Sequence, residues 1–500
     1  MNLLKDAWIP VRADDGAGPF RFLTYRELLC ELDAWRVSLP RDDLELACIQ
    51  LLVCMTQIMF QPGDDEVLED SLESPLTQAM FDAGTTRCHD WFDLDHPTQP
   101  FMQTRGVASK EATPIQKLLI GLPDGNNHCF FNETGEVAAL CAPIAAIALF
   151  HQASNCPSFG GGFKGSLRGG APITTLVDGP NLREQVWRNV LTPARIRADL
   201  PGWVHDLTRD HPTWIDPIKA GQTIYPHQIG LVRGLFWQPA HVELIPCSAS
   251  GPCDLLGVEA GPRYSGFRKE KFNFTLNGVW PHPHGALNVS IKKGERETKF
   301  ASFTTSAPAW TRLTELVVRK GTDNGEGNRP ALAIGQAKAL DIHPLHLLVG
   351  GYRNKQASVL ERRHELIALG EGWDNEDGRL EDLVNIGLAA KKALRGKLFF
   401  AAQGHKDKGL PGIGAAIHET GERLFYARTE ARILATFSNS ATFAEWQQSL
   451  DAYAAALATE CEDIFTDLTD PYAMKPELIP IIAWARRSLT ADLRKLKEGK

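Results

Sequence analysis

The sequence predicts an α+β protein, with a large irregular mixed α/β domain over residues 1–370 and an all-α four-helix bundle over 371–500. Two changes of pattern carry this reading. Up to about residue 370 turn formers are dense, as in Gly160-Gly161-Gly162, Pro281-His282-Pro283-His284 and Asn324-Gly325-Glu326-Gly327-Asn328, and the hydrophobic period switches often. After Gly370-Glu371-Gly372 the pattern becomes persistently helical.

Taken in order, Asp42 to Met59 is the clearest helix of the first part, with Leu44, Ala47, Leu51, Met55 and Ile58 on one face. Phe272 to Leu276 and Leu287 to Ile291 alternate apolar and polar residues and are expected to be strands. Four amphipathic segments follow, near 379–403, 415–437, 442–468 and 477–497. In the third, Phe443, Trp446, Leu450, Tyr453, Leu457, Cys461 and Ile464 recur at spacings of three and four, a single stripe. Gly409-Leu410-Pro411-Gly412 and Asp470-Pro471 punctuate the gaps. Mostly short connections between four such helices give an up-and-down bundle.

Composition narrows the function. With 500 residues, 43% hydrophobic and 23% charged, the chain is globular and long enough for more than one core. Its longest apolar run, Ala138 to Phe150, contains Pro143 and is too short to span a bilayer. The N-terminus lacks the apolar core of a secretion signal, and ten scattered cysteines fit free thiols, so a cytoplasmic protein without membrane association is expected. A net charge of −8 argues against a chain that coats nucleic acid over its whole surface, and leaves room for a local basic track.

Catalytic signatures are absent. There is no phosphate-binding loop ending in Gly-Lys-Ser/Thr, no Gly-x-Ser-x-Gly elbow, no His-Glu-x-x-His pair and no Cys-x-x-Cys. His89-Asp90 is half of a metal-phosphohydrolase pair at most. His282 and His284 would share a face on a strand, as a metal would need, but a rigid, proline-fixed loop leaving a strand is the favoured reading.

Three segments have backbone-recognition chemistry instead. Residues 158–170, Ser-Phe-Gly-Gly-Gly-Phe-Lys-Gly-Ser-Leu-Arg-Gly-Gly, hold six glycines and two cations. Glycines without Cβ atoms let the main chain approach a ligand, with Phe159 and Phe163 as anchors, although a tight structural turn has the same composition. From Arg263 to Lys299 eight bases face three acids, and Arg263 to Phe272 interleaves cations with aromatics. Lys292-Lys293-Gly294 is expected at a hairpin turn. Gly350-Gly351-Tyr352-Arg353-Asn354-Lys355-Gln356-Ala357-Ser358 reads as a flexible glycine pair followed by a polar loop suited to probing a groove.

With these segments the chain resembles the CasA family, the large subunits of the type I-E CRISPR surveillance complex Cascade. The resemblance runs over nearly the whole length. It is carried by Asn2-Leu3-Leu4 with Trp8-Ile9-Pro10-Val11-Arg12, Ser38-Leu39-Pro40-Arg41-Asp42-Asp43, Pro100-Phe101-Met102-Gln103-Thr104 and the glycine loop. Arg233-Gly234-Leu235-Phe236-Trp237-Gln238-Pro239-Ala240-His241, Trp280-Pro281-His282-Pro283-His284 and Glu361-Arg362-Arg363-His364 continue it in the same order.

The resemblance implies a two-part fold, no catalytic activity and no cofactor. It also implies a subunit that tests double-stranded DNA for the protospacer-adjacent motif (PAM), starts strand separation and recruits a separate helicase-nuclease. The implied partners are target DNA, the guide RNA, the other Cascade subunits and that helicase-nuclease. Gly161, within Gly160 to Gly162, matches the family's backbone contact to the PAM from the minor groove, and Lys271 the lysine on the same side. Gln356 matches the glutamine wedge that splits the first base pair, and Lys355 stands where an asparagine is familiar. Phe130, Phe131 and Asn132 lie at the loop that docks near the guide-RNA 5′ handle.

Lys292, Lys293 and Arg395 match cations along the displaced strand, with Gly396 in place of the next lysine and Lys397 nearby. Some relatives hold zinc on four cysteines. Here Cys141 and Cys253 match two ligand positions, while Ile144 and Leu256 occupy the others, so no metal is expected. The rival readings are a purely structural scaffold subunit and a metal-dependent nuclease built on His89, Asp90, His282 and His284.

Overall fold

The computed structural model describes residues 1–500 apart from 15, 17, 122–134, 200–209, 323–324, 356–357, 375–377, 440–445 and 499–500. The chain is mixed helix and strand and forms two compact units. The first comprises Met1–Ser306, Glu315–Asp341 and Leu347–Leu366; the second comprises Ala307–Thr314, Ile342–His346 and Ile367–Lys500. The second unit therefore recruits two segments that precede the compositional change near residue 370. Among the described residues no helix is long and apolar enough to cross a membrane.

The first unit is built around the Asp42–Met59 helix. Its predicted ends hold, but its apolar face does not stay on one side. Fifteen of its residues are buried, because the helices Ala142–Ser154, Leu182–Trp187 and Leu231–Leu235 all pack on it. The strand Arg263–Glu270 is the hub of a small antiparallel sheet, paired with His241–Pro246 and with the short strands Thr113–Pro114 and Leu140–Cys141. The run from Phe272 forms a strand only at Thr275–Leu276. Phe272 instead stacks its ring on His241 at 4.4 Å, and aromatic packing overrides the alternation there.

Leu287–Lys292 and Glu295–Phe300 pair antiparallel with Lys292 opposite Glu295, so Lys293-Gly294 is a two-residue turn. Both turn residues have positive φ, 52° and 83°, which matches the twist of the flanking strands. The segment from Gly350 departs from expectation. Its described residues are strand: Leu345–Lys355 and Ser358–Leu369 are adjacent strands of a sheet completed by Thr174–Val177. Gly350 and Gly351 lie inside the first of them, where a Cβ would come within 2.4 Å of Leu46 Cδ2 and 2.7 Å of the Pro172 carbonyl oxygen. These glycines serve close packing.

The second unit contains the four expected helices, Arg379–Gln403, Ile417–Asn439, Trp446–Ala473 and Ile479–Lys497. The first helix packs on the other three, around Leu394, Leu398, Phe425, Ile433, Leu457, Ile464 and Leu489. From the predicted stripe, Tyr453, Leu457, Cys461 and Ile464 are buried, and Phe443 lies outside the described residues. Pro471 does not end the third helix, which runs to Ala473. Its missing N–H falls in the last turn, opposite exposed Asp467, where water can satisfy the orphaned carbonyl. Trp310, from the earlier segment, packs edge-on against Tyr426 at 6.2 Å and Phe437 at 6.5 Å.

Two glycine substitutions separate these packing roles. Gly351→Ala is expected to lower stability by about 1–3 kcal/mol, since backbone must move to admit the methyl group. Gly396→Ala, in a helix with open space around the position, is expected to raise it by about 0.5–1 kcal/mol. Thermal or urea unfolding of the two variants reads both signs.

Candidate nucleic-acid interface

The glycine loop begins after Pro157 with Phe159, whose ring meets those of Phe163 and Phe267 at 5.6 Å each. Lys269, on the same strand as Phe267, lies over Phe159 at 5.2 Å and donates to Thr113 Oγ1 at 3.0 Å. The loop start is thus propped on the hub strand. Gly160, Gly161 and Gly162 follow with φ of 78°, 55° and 85°, a left-handed run that only glycine adopts without strain. A Cβ on Gly161 would meet nothing within 4 Å.

Just past the end of the hub strand, Lys271 Nζ donates to the Gly161 carbonyl oxygen at 3.1 Å. Two residues separated by 110 positions are thereby joined at one exposed spot. Gly160 to Gly162, Ser166, Gly169 and Gly170 line a concavity of about 580 Å³ that Asn354 and Ser358 also line. Those two residues bracket the tip of the adjacent strands, and exposed Lys355 ends the first strand there. Gln356 lies outside the described residues, as do Phe130, Phe131 and Asn132.

The convergence is held from inside. Tyr352, three residues before Lys355, packs its ring against Cys156 and Ala171, which flank the glycine loop in sequence. A buried chain of hydrogen bonds runs from Arg168 to Asp43. Arg168, 4% exposed, donates to Asn155 Oδ1, to Thr174 Oγ1 at 3.0 Å and to the Ser154 carbonyl at 3.0 Å. Asn155 Nδ2 donates to His151 Nδ1 at 3.2 Å and to Gln50 Oε1 at 2.9 Å. His151 Nε2 meets the Tyr352 hydroxyl at 2.5 Å, and that hydroxyl donates to Asp43 Oδ2 at 2.7 Å. Because Arg168 only donates and ionised Asp43 only accepts, every link points one way, and His151 is neutral with its proton on Nε2.

Electrostatics agree with this order. Burial, with Arg41 and Arg168 nearby, pushes the His151 imidazole down to about 4 despite the attraction of Asp43. The Asp43 carboxyl is itself held low: burial opposes its charge, but the Arg41 guanidinium and the Tyr352 hydroxyl, both donating to it, prevail. Arg41 binds Asp43 through Nε at 3.0 Å and Nη2 at 2.6 Å. Burial lowers Arg168 to about 9. Its sequence neighbourhood marks it as a surface cation of the loop, whereas its side chain is turned into the core.

The other expected site residues are placed elsewhere. Lys293 projects from its turn and has no ion-pair partner among the described residues, while Lys292 pairs with Glu297 at 2.7 Å. Lys292 and Lys299 together pull the half-buried Glu297 carboxyl down to about 2. Arg395, on the first bundle helix, donates to Glu422 at 2.8 Å, which also receives Lys391. Arg263 is spent on the Ala249 and Pro252 carbonyls at 2.7 and 2.8 Å.

The rival metal residues divide between surface and interior. His89 and Asp90 pair on the surface at 2.7 Å. His282 and His284 are buried, with His284 Nδ1 on Gln50 Nε2 at 3.1 Å and the His284 N–H on His282 Nδ1 at 3.1 Å. Among the described residues no three His, Cys, Asp or Glu are grouped to hold a metal. Cys141 N–H donates to Cys253 Sγ at 3.3 Å, and with apolar Ile144 and Leu256 at the other two positions these residues do not fit a four-coordinate zinc.

Pattern reading missed Asn354, Ser166 and Ser358 as wall residues, and Asp43, Gln50, His151, Asn155 and Tyr352 as their support. Buried polar residues inside apolar helices, such as Gln50 and His151, were the available signal.

Comparison with known proteins places this architecture. The model of the family described as CRISPR-associated protein Cse1 matches residues 2–464. The CRISPR-associated protein CasA/Cse1 of Thermus thermophilus is 27% identical over 254 residues, 49% of each chain, so the match spans about half the length of that curated relative. The crystal structure of Thermobifida fusca Cse1 superposes with a TM-score of 0.76 at 18% identity, covering 100% of this chain and 98% of that one. A structure described as a CRISPR RNA-guided surveillance complex contains a chain that superposes with a TM-score of 0.69 at 16% identity, covering 98% and 99%.

Two outcomes test the buried chain. Tyr352→Phe leaves the His151 N–H and an Asp43 lone pair unmet and is expected to cost about 1–3 kcal/mol in urea unfolding. Because the folded imidazoles of His151 and His284 titrate near 4 and 3 against an ordinary value of 6.5, the unfolded chain binds more protons in this window. Stability is therefore retained above pH 6.5 and lost as pH falls toward 4, by up to ~1.4 kcal/mol per pH unit for each histidine. A His284→Gln variant should show a shallower acid limb in pH-dependent unfolding.

Proposed function

The chain belongs to the CRISPR-associated Cse1 (CasA) family, and on that premise we propose that it is the non-catalytic large subunit of a type I-E Cascade complex. In this reading it recognises the PAM in double-stranded DNA, initiates strand separation and recruits the helicase-nuclease. The observation that carries it is the hydrogen bond from Lys271 to Gly161 at the rim of the concavity faced by Asn354 and Ser358.

The geometry suits a duplex edge. A left-handed glycine run without side chains lets a groove approach the backbone, and Lys271, fixed by one of its three N–H groups, keeps two for acceptors. The minor groove shows acceptors at every base pair, so a lysine donor discriminates weakly among them and tolerates several related motifs. Ser166, Asn354 and Ser358 add hydroxyl and amide groups at the walls. Beyond Lys355, Gln356 is proposed to enter the first base step, where the inserted side chain offsets an unstacking cost of a few kcal/mol. Sequence readout of the target then belongs to the guide RNA, and the protein reads a short motif and duplex shape.

Phe130, Phe131 and Asn132 are proposed to dock on the guide-RNA handle, stacking and hydrogen-bonding splayed bases. Lys293, with Lys292 and Arg395 once exchanged from their carboxylates, is proposed to hold the displaced strand. The absence of catalysis is supported by the commitment of His282 and His284 to the core. A cytoplasmic location follows from the proposed role.

The test is target-duplex binding by the reconstituted complex at several salt concentrations. Lys271→Ala is expected to weaken PAM-bearing duplex by roughly tenfold to a hundredfold and to flatten the salt slope by about one ion. Gly161→Ala has room in the free protein and strains the loop by only about 1–2 kcal/mol, so it should fold and yet lose PAM-dependent binding, because the methyl group points where the groove would sit. Wild-type affinity in both variants contradicts the reading.

A further inference from the structure

A second cavity, of about 330 Å³, opens in the first unit away from the glycine loop. Its apolar walls are Trp214, Pro217, Ile218 and Phe272. Phe272 does not stand alone: the His241 ring lies against it at 4.4 Å and 20°, a two-ring stack facing the space. Burial holds His241 below its ordinary value, so the ring is neutral at physiological pH and stacks as an aromatic.

The polar groups are amides and one guanidinium. Gln238 is 4% exposed; its Oε1 accepts from the Thr213 hydroxyl at 3.4 Å, and its Nε2 has no hydrogen-bond partner among the described residues. Gln99 Nε2 makes only a long contact of 3.4 Å to the Ile215 carbonyl. Arg105 is anchored on the His96 carbonyl at 3.0 Å and stands 3.8 Å from Glu243. Amide donors on the edge of a slot, a parallel aromatic stack on its wall and room for one heteroaromatic ring define the chemistry of an unpaired nucleobase bearing carbonyl acceptors. Phe272 directly follows Lys271, so a strand opened beside that lysine has this slot within reach.

We infer that the cavity bounded by Phe272, His241, Gln99 and Gln238 captures a single unstacked nucleobase from a nucleic-acid strand. This rests on the reading that the chain handles nucleic acid, and it requires neither a PAM nor a duplex. The base comes from the guide RNA or from the opened DNA, and the sugar distinguishes the two.

The full-length chain is irradiated with short oligothymidylate carrying 5-iododeoxyuridine, and separately with oligouridylate carrying 5-iodouridine. Cross-linked peptides are then identified by mass spectrometry. The expected adducts lie on the peptides holding Phe272 or Trp214. Thr98→Trp, at the exposed mouth of the cavity, and Phe272→Leu, which keeps apolar volume without a ring, should each cut the yield roughly tenfold, the loss expected for one stacked base.

Adducts with either sugar support the inference and name the source. Adducts confined to other segments, or a yield unchanged in both variants, overturn it. Duplex binding by the complex separates the two readings. Intact PAM dependence without cavity adducts removes this inference alone, and cavity adducts alongside PAM binding indifferent to Lys271→Ala remove only the duplex-reading role.

Discussion

One buried cation sets the geometry of the candidate interface. Arg168 lies near the end of a loop of glycines and turns into the core, where Asn155, Thr174 and the Ser154 carbonyl receive it. A guanidinium removed from water costs several kcal/mol unless its donors are met, and here three of its N–H contacts are supplied by the end of the Ala142–Ser154 helix and by the neighbouring strand. The hydrogen-bond series continues through Asn155, His151 and Tyr352 to Asp43, whose own charge is met by Arg41. The Gly160–Gly162 run is therefore free of side chains outside while the loop is fixed inside. The same series passes through Tyr352, so the strand that leads to Lys355 is registered against the loop by the contacts that hold the loop itself.

Charge on the surface follows a related logic. The chain is acidic overall, yet bases outnumber acids between Arg263 and Lys299. Much of that surplus is committed locally: Arg263 to carbonyls, Lys269 to aromatic faces, Lys292 and Lys299 to Glu297. Lys271 and Lys293 remain exposed, and Arg395 shares Glu422 with Lys391. In the proposed role a phosphate backbone would meet a few separated ammonium groups on the first unit, which would position a duplex without gripping it indiscriminately.

How far the residue pattern reached depends on the kind of interaction. Helices with a long periodic stripe, such as Arg379–Gln403 and Trp446–Ala473, were readable because burial and backbone geometry repeat together. So was the Lys293-Gly294 turn, since a two-residue connection needs residues that tolerate positive φ. Gly350-Gly351 misled, because a glycine that makes room for Leu46 and one that bends freely look the same in sequence. Arg168 misled for a similar reason: its partners Asn155 and Thr174 are near in sequence, but nothing in spacing says that the side chain turns inward. The meeting of Lys271 with Gly161 depends on tertiary register across 110 residues, which local pattern does not encode. The family resemblance supplied that pairing, and the folded structure supplies its contact.

The central claim is that the glycine loop and Lys271 act as one reader. A double-mutant cycle on PAM-bearing duplex, using Gly161→Ala, Lys271→Ala and the double variant in the assembled complex, tests it most directly. Joined groups should be strongly non-additive, the double variant losing little more than the worse single one, with a coupling of about 0.5–3 kcal/mol. Strictly additive losses would show two independent contacts and contradict the account.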